Sequence, residues 1–203
     1  MRLHLIRHGQ TEANEALIMD TRYPGANLTE LGRKQAAGIP ARLAGEPITS
    51  LSMSNLPRTH QTIAPLAAAL GIEPVERPGL AEIDAGAWDG TSIPETGFKY
   101  LEVVGQWVSG DMDVRLAGGT TGREVKARFD HEIAAIEKTG AEVAALVAHG
   151  AVIPFWVMVT TGTPSIDYFR EHRLMNTDII TVEGTLESGY RLVMWAGEPY
   201  IGE

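Results

Sequence analysis

The sequence predicts an α/β fold: a three-layer α/β/α sandwich with a mainly parallel central sheet, an antiparallel edge and a small helical lid. Three observations carry this. Short apolar runs at residues 3–6, 48–53 and 143–148 alternate with helical stretches, the pattern of strand–helix–strand units. The run 143–148 contains no polar residue, as expected of a strand covered on both faces. Residues 178–182 and 190–195 flank the turn-rich stretch 183–189, a hairpin signal for the antiparallel edge.

The elements follow in order. The first strand, interrupted only by His4, runs into Arg7-His8-Gly9-Gln10-Thr11-Glu12-Ala13-Asn14. A cation and an imidazole thus stand where a strand gives way to a loop, the edge at which open α/β sheets bind ligands. Gly9 permits a sharp turn and close approach. Gln10, Thr11 and Asn14 add polar groups suited to oxygen-rich ligands. Residues 20–27 are turn-rich. Thr29 reads as the N-cap of a helix carrying Leu31, Gln35, Ile39 and Leu43 at helical spacing, which Pro40 should kink or split. After the second strand, at 48–53, Pro57 suits the first turn of a helix that ends at Leu70 with Gly71 as stop signal.

Residues 73–77 form a short third strand, and a loop spans 79–90. A helix around 95–108 and a Gly-rich connection make the lid, at about 91–121 of a single domain over 1–203. The helix over 122–139 has Val125, Phe129, Ile133 and Ile136 as its apolar stripe and stops at Gly140. His149-Gly150 closes the fourth strand, repeating the strand-then-His-Gly pattern of the first, and a helix starts at Ala151. The chain shows no repeats, low-complexity tracts or interdomain linker.

At 203 residues, with 44% apolar and 21% charged, the chain is long enough to bury a sizeable core. A net charge of −9 argues against nucleic acid or an anionic membrane as partner. A phosphate site here has to be a local positive pocket. The absence of cysteine excludes disulfides, thiolate metal sites and a cysteine nucleophile. Met1-Arg2 leads straight into the first strand with no room for a signal peptide, and the apolar run 151–159 is too short to span a bilayer, so a cytoplasmic location is expected.

Arg7, His8, Arg58 and His149 all fall at strand ends or adjacent turns. If they meet, they form a pocket with two obligate cations and two imidazoles, and arginine's planar fork matches phosphate oxygens. Taken singly, each has a plainer reading. Arg7-His8-Gly9 is equally a strand followed by a solvated turn. Arg58 is equally a surface arginine paired with a carboxylate, and His149 a satisfied core histidine. His4 points away from Leu5 and is structural. His60, His131 and His172 lack glycine-loop contexts, and His131-Glu132 has no second histidine at metal-ligand spacing. Trp88, Phe98, Tyr100 and Trp107 either face substrate from the lid or, for most of them, pack its core.

Four ordered segments change the weighing: Arg7-His8-Gly9-Gln10-Thr11-Glu12-Ala13-Asn14; Ser54-Asn55-Leu56-Pro57-Arg58-Thr59-His60-Gln61-Thr62; Leu80-Ala81-Glu82-Ile83-Asp84-Ala85-Gly86-Ala87-Trp88-Asp89-Gly90; and Val147-Ala148-His149-Gly150. Together they resemble the histidine phosphatase superfamily, also called phosphoglycerate-mutase-like, from Leu3 to about Val182. The resemblance implies that His8 is the nucleophile, that Arg7, Asn14, Arg58 and a protonated His149 hold the phosphate, and that Glu82 is the proton donor, with Asp84 its nearest rival. Gln10, Thr11, Thr21 and Gly150 complete the candidate substrate-binding set. The implied activity is phosphomonoester hydrolysis through a phosphohistidine on a small phosphorylated substrate. Neither a metal nor a cofactor is implied, and the protein is expected to be a monomer or homodimer.

The chain departs from the family at Gly118-Gly119-Thr120-Thr121, where many members have Gly-Gly-Glu-Ser. It also lacks the usual glycine in Met19-Asp20-Thr21-Arg22, where Arg22 offers a rim cation. No long insertion with adjacent arginines is present, which favours phosphatase over mutase. A mutase and a non-catalytic phosphate-binding module are the competing readings.

Overall fold

The computed structural model describes residues 1–202; Glu203, the last residue of the expected domain, lies outside them. A seven-stranded sheet has the order β3-β2-β4-β1-β5-β6-β7. Its strands are β1 (Arg2–Arg7), β2 (Ser50–Met53), β3 (Val75–Glu76), β4 (Val143–Ala148), β5 (Ile179–Thr185), β6 (Gly189–Trp195) and β7 (Glu198–Pro199). The first four run parallel, while β5, β6 and β7 add on antiparallel beyond β1.

Strand alternation divides the core. Leu3 and Leu5 of β1 and Ala144, Leu146 and Ala148 of β4 face the larger apolar cluster. Ile6, Val143, Ala145 and Val147 face the smaller one. Both faces are therefore covered, which explains the unbroken apolar run of β4. The larger cluster contains residues of α5 (Ile93–Val108), α6 (Gly122–Glu137) and α7 (Val152–Thr161). The smaller contains Ile39 of α3 (Ile39–Arg42) and Ile63 and Leu66 of α4 (Pro57–Leu70).

Two short helices, α1 (Glu12–Glu15) and α8 (Ile166–Glu171), and strand β7 escape the sequence reading. Each is six residues or fewer, too short to show a period. The expected split at Pro40 occurs: α2 (Glu30–Ala37) ends at Gly38 and α3 begins with Pro40 in its first turn. The expected stripe on α2 needs correction. Leu31 is 50% exposed, and Gly32 and Ala36 are the buried positions. The cause is backbone packing: a Cβ on Gly32 would lie 2.0 Å from the Gln10 carbonyl oxygen, and one on Gly9 would lie 2.6 Å from the Gly32 carbonyl oxygen. The two glycines let α2 press on the loop after β1, and Leu31 turns outward. The hairpin turn also shrinks, because β5 continues through Thr185 and β6 restarts at Gly189.

In the region expected to be a lid, α5 packs Tyr100, Val104 and Trp107 into the larger core. The Trp107 indole N–H donates to the Val114 carbonyl at 2.8 Å, and the Tyr100 hydroxyl to the Ile83 carbonyl at 3.2 Å. Phe98 is exposed.

Candidate active site

The carboxyl ends of β1, β2 and β4 deliver the residues of three of the four motifs to one place. His8 follows β1, Ser54 follows β2 and His149 follows β4. Arg58 sits in the first turn of α4, which begins immediately beyond Ser54. The rings of His8 and His149 meet edge to face with centroids 5.3 Å apart. Arg58 Nε donates to His149 Nδ1 at 3.2 Å.

Hydrogen-bond partners fix both tautomers. His8 Nδ1 lies 2.8 Å from the Gly9 carbonyl oxygen, which can only accept, so Nδ1 carries the proton. His8 Nε2 is then the nitrogen with the free lone pair, and it makes no hydrogen bond among the described residues. Burial, reinforced by the charges of Arg58 and Arg7, holds the His8 imidazole well below its ordinary range and hence neutral. An arginine N–H can only donate, so His149 Nδ1 is the acceptor. Its Nε2–H donates to Ser54 Oγ at 2.9 Å. Burial, then Arg58, also pushes His149 well below its ordinary range. The ring at 149 is therefore neutral in this arrangement, whereas the resemblance implies a protonated His149 against bound phosphate; burial beside a guanidinium opposes a second positive charge.

Arg7 is held from the antiparallel edge. Its Nη1 donates to the Leu174 carbonyl at 2.6 Å, while its buried Nε has no hydrogen-bond partner among the described residues. Because β5 runs antiparallel to β1, with Ile6 opposite Ile179, the residues just before β5 lie beside Arg7 and His8. Asn176 Nδ2 there donates to the His8 carbonyl and to Asn14 Oδ1, each at 3.1 Å. Gly150 lies against Arg7, where a Cβ would stand 2.9 Å from Nε.

Glu82 reaches the site differently. Its Oε1 accepts from the Val152 N–H at 2.8 Å and its own neighbour's Ile83 N–H at 2.9 Å, and its Oε2 from the Ala151 N–H at 3.0 Å. The N-cap of α7 is Ala151, which offers no side-chain acceptor. Glu82 supplies the missing cap from a distant loop, accepting from two N–H groups at the start of the helix. Arg128 braces that loop by donating to the carbonyls of Gly79 and Glu82, the latter at 2.9 Å. The rival Asp84 instead pairs with Arg22 at 2.9 Å and accepts from the Gly86 N–H at 2.8 Å.

The remaining candidates are largely bound to protein. Thr11 and Asn14 form a capping box on α1, with Asn14 Oδ1 accepting from the Thr11 N–H at 3.2 Å and Thr11 Oγ1 accepting from the Asn14 N–H at 3.1 Å. Gln10 Oε1 accepts from the Thr29 hydroxyl at 2.8 Å, drawing that side chain toward α2. Thr21 donates its N–H and hydroxyl to Asp89 Oδ1, at 2.8 and 2.6 Å, and accepts from the Ala85 N–H, tying the two rim loops together. Sequence reasoning missed Asp20, Ser54 as a partner of His149, Arg128 and Asn176. Only Ser54 had a signal, its place in the second motif.

Fold and site define an α/β protein with an imidazole-lined, arginine-rich pocket at the carboxyl ends of parallel strands. Comparison identifies the family. The model described as histidine phosphatase superfamily (branch 1) matches residues 3–196, and the chain belongs to that superfamily. It is 34% identical over 213 residues to the PE-PGRS family protein PE_PGRS11 of Mycobacterium tuberculosis, covering 97% of this chain and 36% of that protein. It is 33% identical over 122 residues to phosphoserine phosphatase 1 of Hydrogenobacter thermophilus, covering 59% of this chain and 56% of that one. These matches span about a third and just over half of those relatives' lengths. A "Probable phosphoglycerate mutase GpmB" of Yersinia pestis is 28% identical over 187 residues, covering 90% and 85%. Among solved structures, a mycobacterial glucosyl-3-phosphoglycerate phosphatase in complex with VO3 superposes with a TM-score of 0.78 at 25% identity, covering 96% of this chain and 98% of that one. Phosphatases and a mutase thus both stand among the named relatives. No helix among the described residues is long and apolar enough to cross a membrane.

Proposed function

We propose that this chain is a metal-independent phosphomonoester hydrolase acting through a phosphohistidine on a small phosphorylated metabolite. One observation carries the reading: His8 presents a neutral Nε2 free of protein partners while its Nδ1–H is tied to the Gly9 carbonyl, in a pocket shared with Arg58 and His149. In the first step His8 Nε2 attacks phosphorus, the P–N bond forms, and the P–O bond to the leaving group breaks. Arg7 and Arg58 stabilise the charge on the equatorial oxygens. The Nδ1–H bond to Gly9 supports the positive charge that the phosphorylated ring acquires. Glu82 gives a proton to the leaving alkoxide. In the second step Glu82, now a carboxylate, takes a proton from water as the water oxygen attacks phosphorus. The P–N bond breaks, releasing phosphate and restoring His8.

Turnover of a phosphomonoester panel with chelator present tests the reading. Release of inorganic phosphate at an undiminished rate is expected; strict dependence on an added divalent ion contradicts it. The mutase named among the relatives supplies the second reading. Product analysis with 3-phosphoglycerate, with and without a bisphosphate primer, separates the two.

A further inference from the structure

The Arg58 side chain is 2% exposed and already holds an acid. Its Nη1 donates to Asp20 Oδ2 at 3.2 Å and its Nη2 to the Asp20 carbonyl at 3.0 Å. Asp20 Oδ2 also accepts from the Ala26 N–H at 2.8 Å. Gly25, with φ +69°, lets the backbone close over the guanidinium tip, since a Cβ there would stand 2.4 Å from Arg58 Nη1. The loop over residues 20–26 thus fixes a carboxylate on a pocket arginine. That carboxylate is not sealed in: the side chain keeps 20% exposure, and Oδ1 makes no hydrogen bond among the described residues.

The surrounding rim is acidic. The fields of Asp20, Glu82 and Asp89 all reach Arg58. The rim cation Arg22 is engaged by Asp84 at 2.9 Å. A phosphate group therefore has Arg7 and Arg58 to meet it. A second acid group beside the phosphate stands in the field of Asp20 and Asp89, while the half-exposed rim cation Arg22 shares its charge with Asp84.

We propose that Asp20 is a specificity-determining residue that selects phosphomonoesters with neutral, hydroxylated leaving groups and rejects those with a carboxylate near the phosphate. This rests on the phosphate-pocket reading above. Discrimination comes from repulsion of the wrong ligand, and unit charges several ångströms apart at a partly buried site suffice for about a tenfold effect. A purely bracing role for Asp20 on Arg58 would alter both ligand classes alike, so the ratio between them is the informative quantity.

Glycerol 3-phosphate and 3-phosphoglycerate share a three-carbon skeleton and differ by CH2OH against carboxylate. Their Kd values are measured by calorimetry on the His8→Ala protein, which lacks the attacking nitrogen, with and without Asp20→Asn. Competition of the same two ligands against para-nitrophenyl phosphate in the wild-type enzyme gives the ratio without any change at His8. The expected result is about tenfold tighter binding of glycerol 3-phosphate, and a ratio near one in Asp20→Asn. Equal binding, preference for 3-phosphoglycerate, an unchanged ratio in Asp20→Asn, or binding of neither ligand overturns the proposal. If the preference holds in the calorimeter while the wild-type protein never hydrolyses para-nitrophenyl phosphate, the hydrolase reading fails and the selectivity of Asp20 stands.

Discussion

Glu82→Gln separates chemistry from structure at the proposed acid. Both carboxylate oxygens are bound by backbone N–H groups, Oε1 by Ile83 and Val152 and Oε2 by Ala151. A glutamine can keep its carbonyl oxygen at the Oε1 position. Its NH2 then faces the Ala151 N–H, donor against donor. An unsatisfied polar group of this kind costs about 1–3 kcal/mol, and for a chain of this size each kcal/mol lowers Tm by roughly 2–4 °C. The variant should therefore melt measurably lower yet remain folded at 25 °C. Its kinetics should depend on the leaving group. An alkoxide needs a proton as it departs, whereas para-nitrophenolate leaves unaided. Hydrolysis of an alkyl phosphate should fall by about 10²–10⁴-fold, the usual worth of general acid catalysis. Phosphoenzyme formation from para-nitrophenyl phosphate, followed by rapid quench, should fall far less. Asp84→Asn is the control, since it can keep the Gly86 N–H bond and loses only an exposed pair with Arg22. If Asp84→Asn shows the leaving-group-dependent loss and Glu82→Gln does not, the acid has been assigned to the wrong residue. An unchanged Tm in Glu82→Gln would refute its capping of α7.

Three further outcomes are expected. His4, His8 and His149 are each buried and held below their ordinary range by burial, so below about pH 6.5 the unfolded chain binds more protons than the folded one. The stability these groups contribute is full above about pH 6.5 and falls as pH drops toward the folded values. Melts from pH 7.5 to 5 should show this slope, shallower in His4→Gln; a flat profile contradicts it. Gly150→Ala should push the Arg7 guanidinium, whose Nε stands 2.9 Å from the added Cβ, and lower kcat/KM by roughly tenfold or more with little change in Tm; an unchanged kcat/KM counts against a site role for Arg7. Ser54→Ala strands the His149 Nε2–H and should cost about 1–3 kcal/mol in a urea melt, with a fall in kcat; unaltered stability contradicts the tautomer assigned to His149.

The sheet's parallel half was legible because β4 is apolar on both faces and each strand ends in a polar or glycine turn. The helix over 57–70 was legible to the residue, with Pro57 at its start and Gly71 in the left-handed conformation at its end. Leu31 misled because periodicity weighs side chains, whereas the Gly9–Gly32 approach buries backbone. At the site, it was the family resemblance, not the spacing alone, that implied a shared place for His8, Arg58, Glu82 and His149, and the structure puts His149 in contact with both His8 and Arg58. What the resemblance could not convey was how they are braced. Asn176 acts only because β5 is antiparallel to β1, and Asp20 only because the 20–26 loop folds back on Arg58. Glu82 left a faint sign, an alanine where an N-cap acceptor is expected at the start of α7. Gln10, Thr11 and Thr21 show the reverse case, polar residues in a motif that spend their hydrogen bonds on loop architecture.

The central claim is that His8 Nε2 takes the phosphoryl group. Rapid quench of the wild-type protein with labelled para-nitrophenyl phosphate should trap a phosphoenzyme that is labile in acid and stable in base, with the label mapping to His8 and absent from a folded His8→Ala variant. A folded His8→Ala protein that still turns over substrate, or a label on any other residue, would contradict the account.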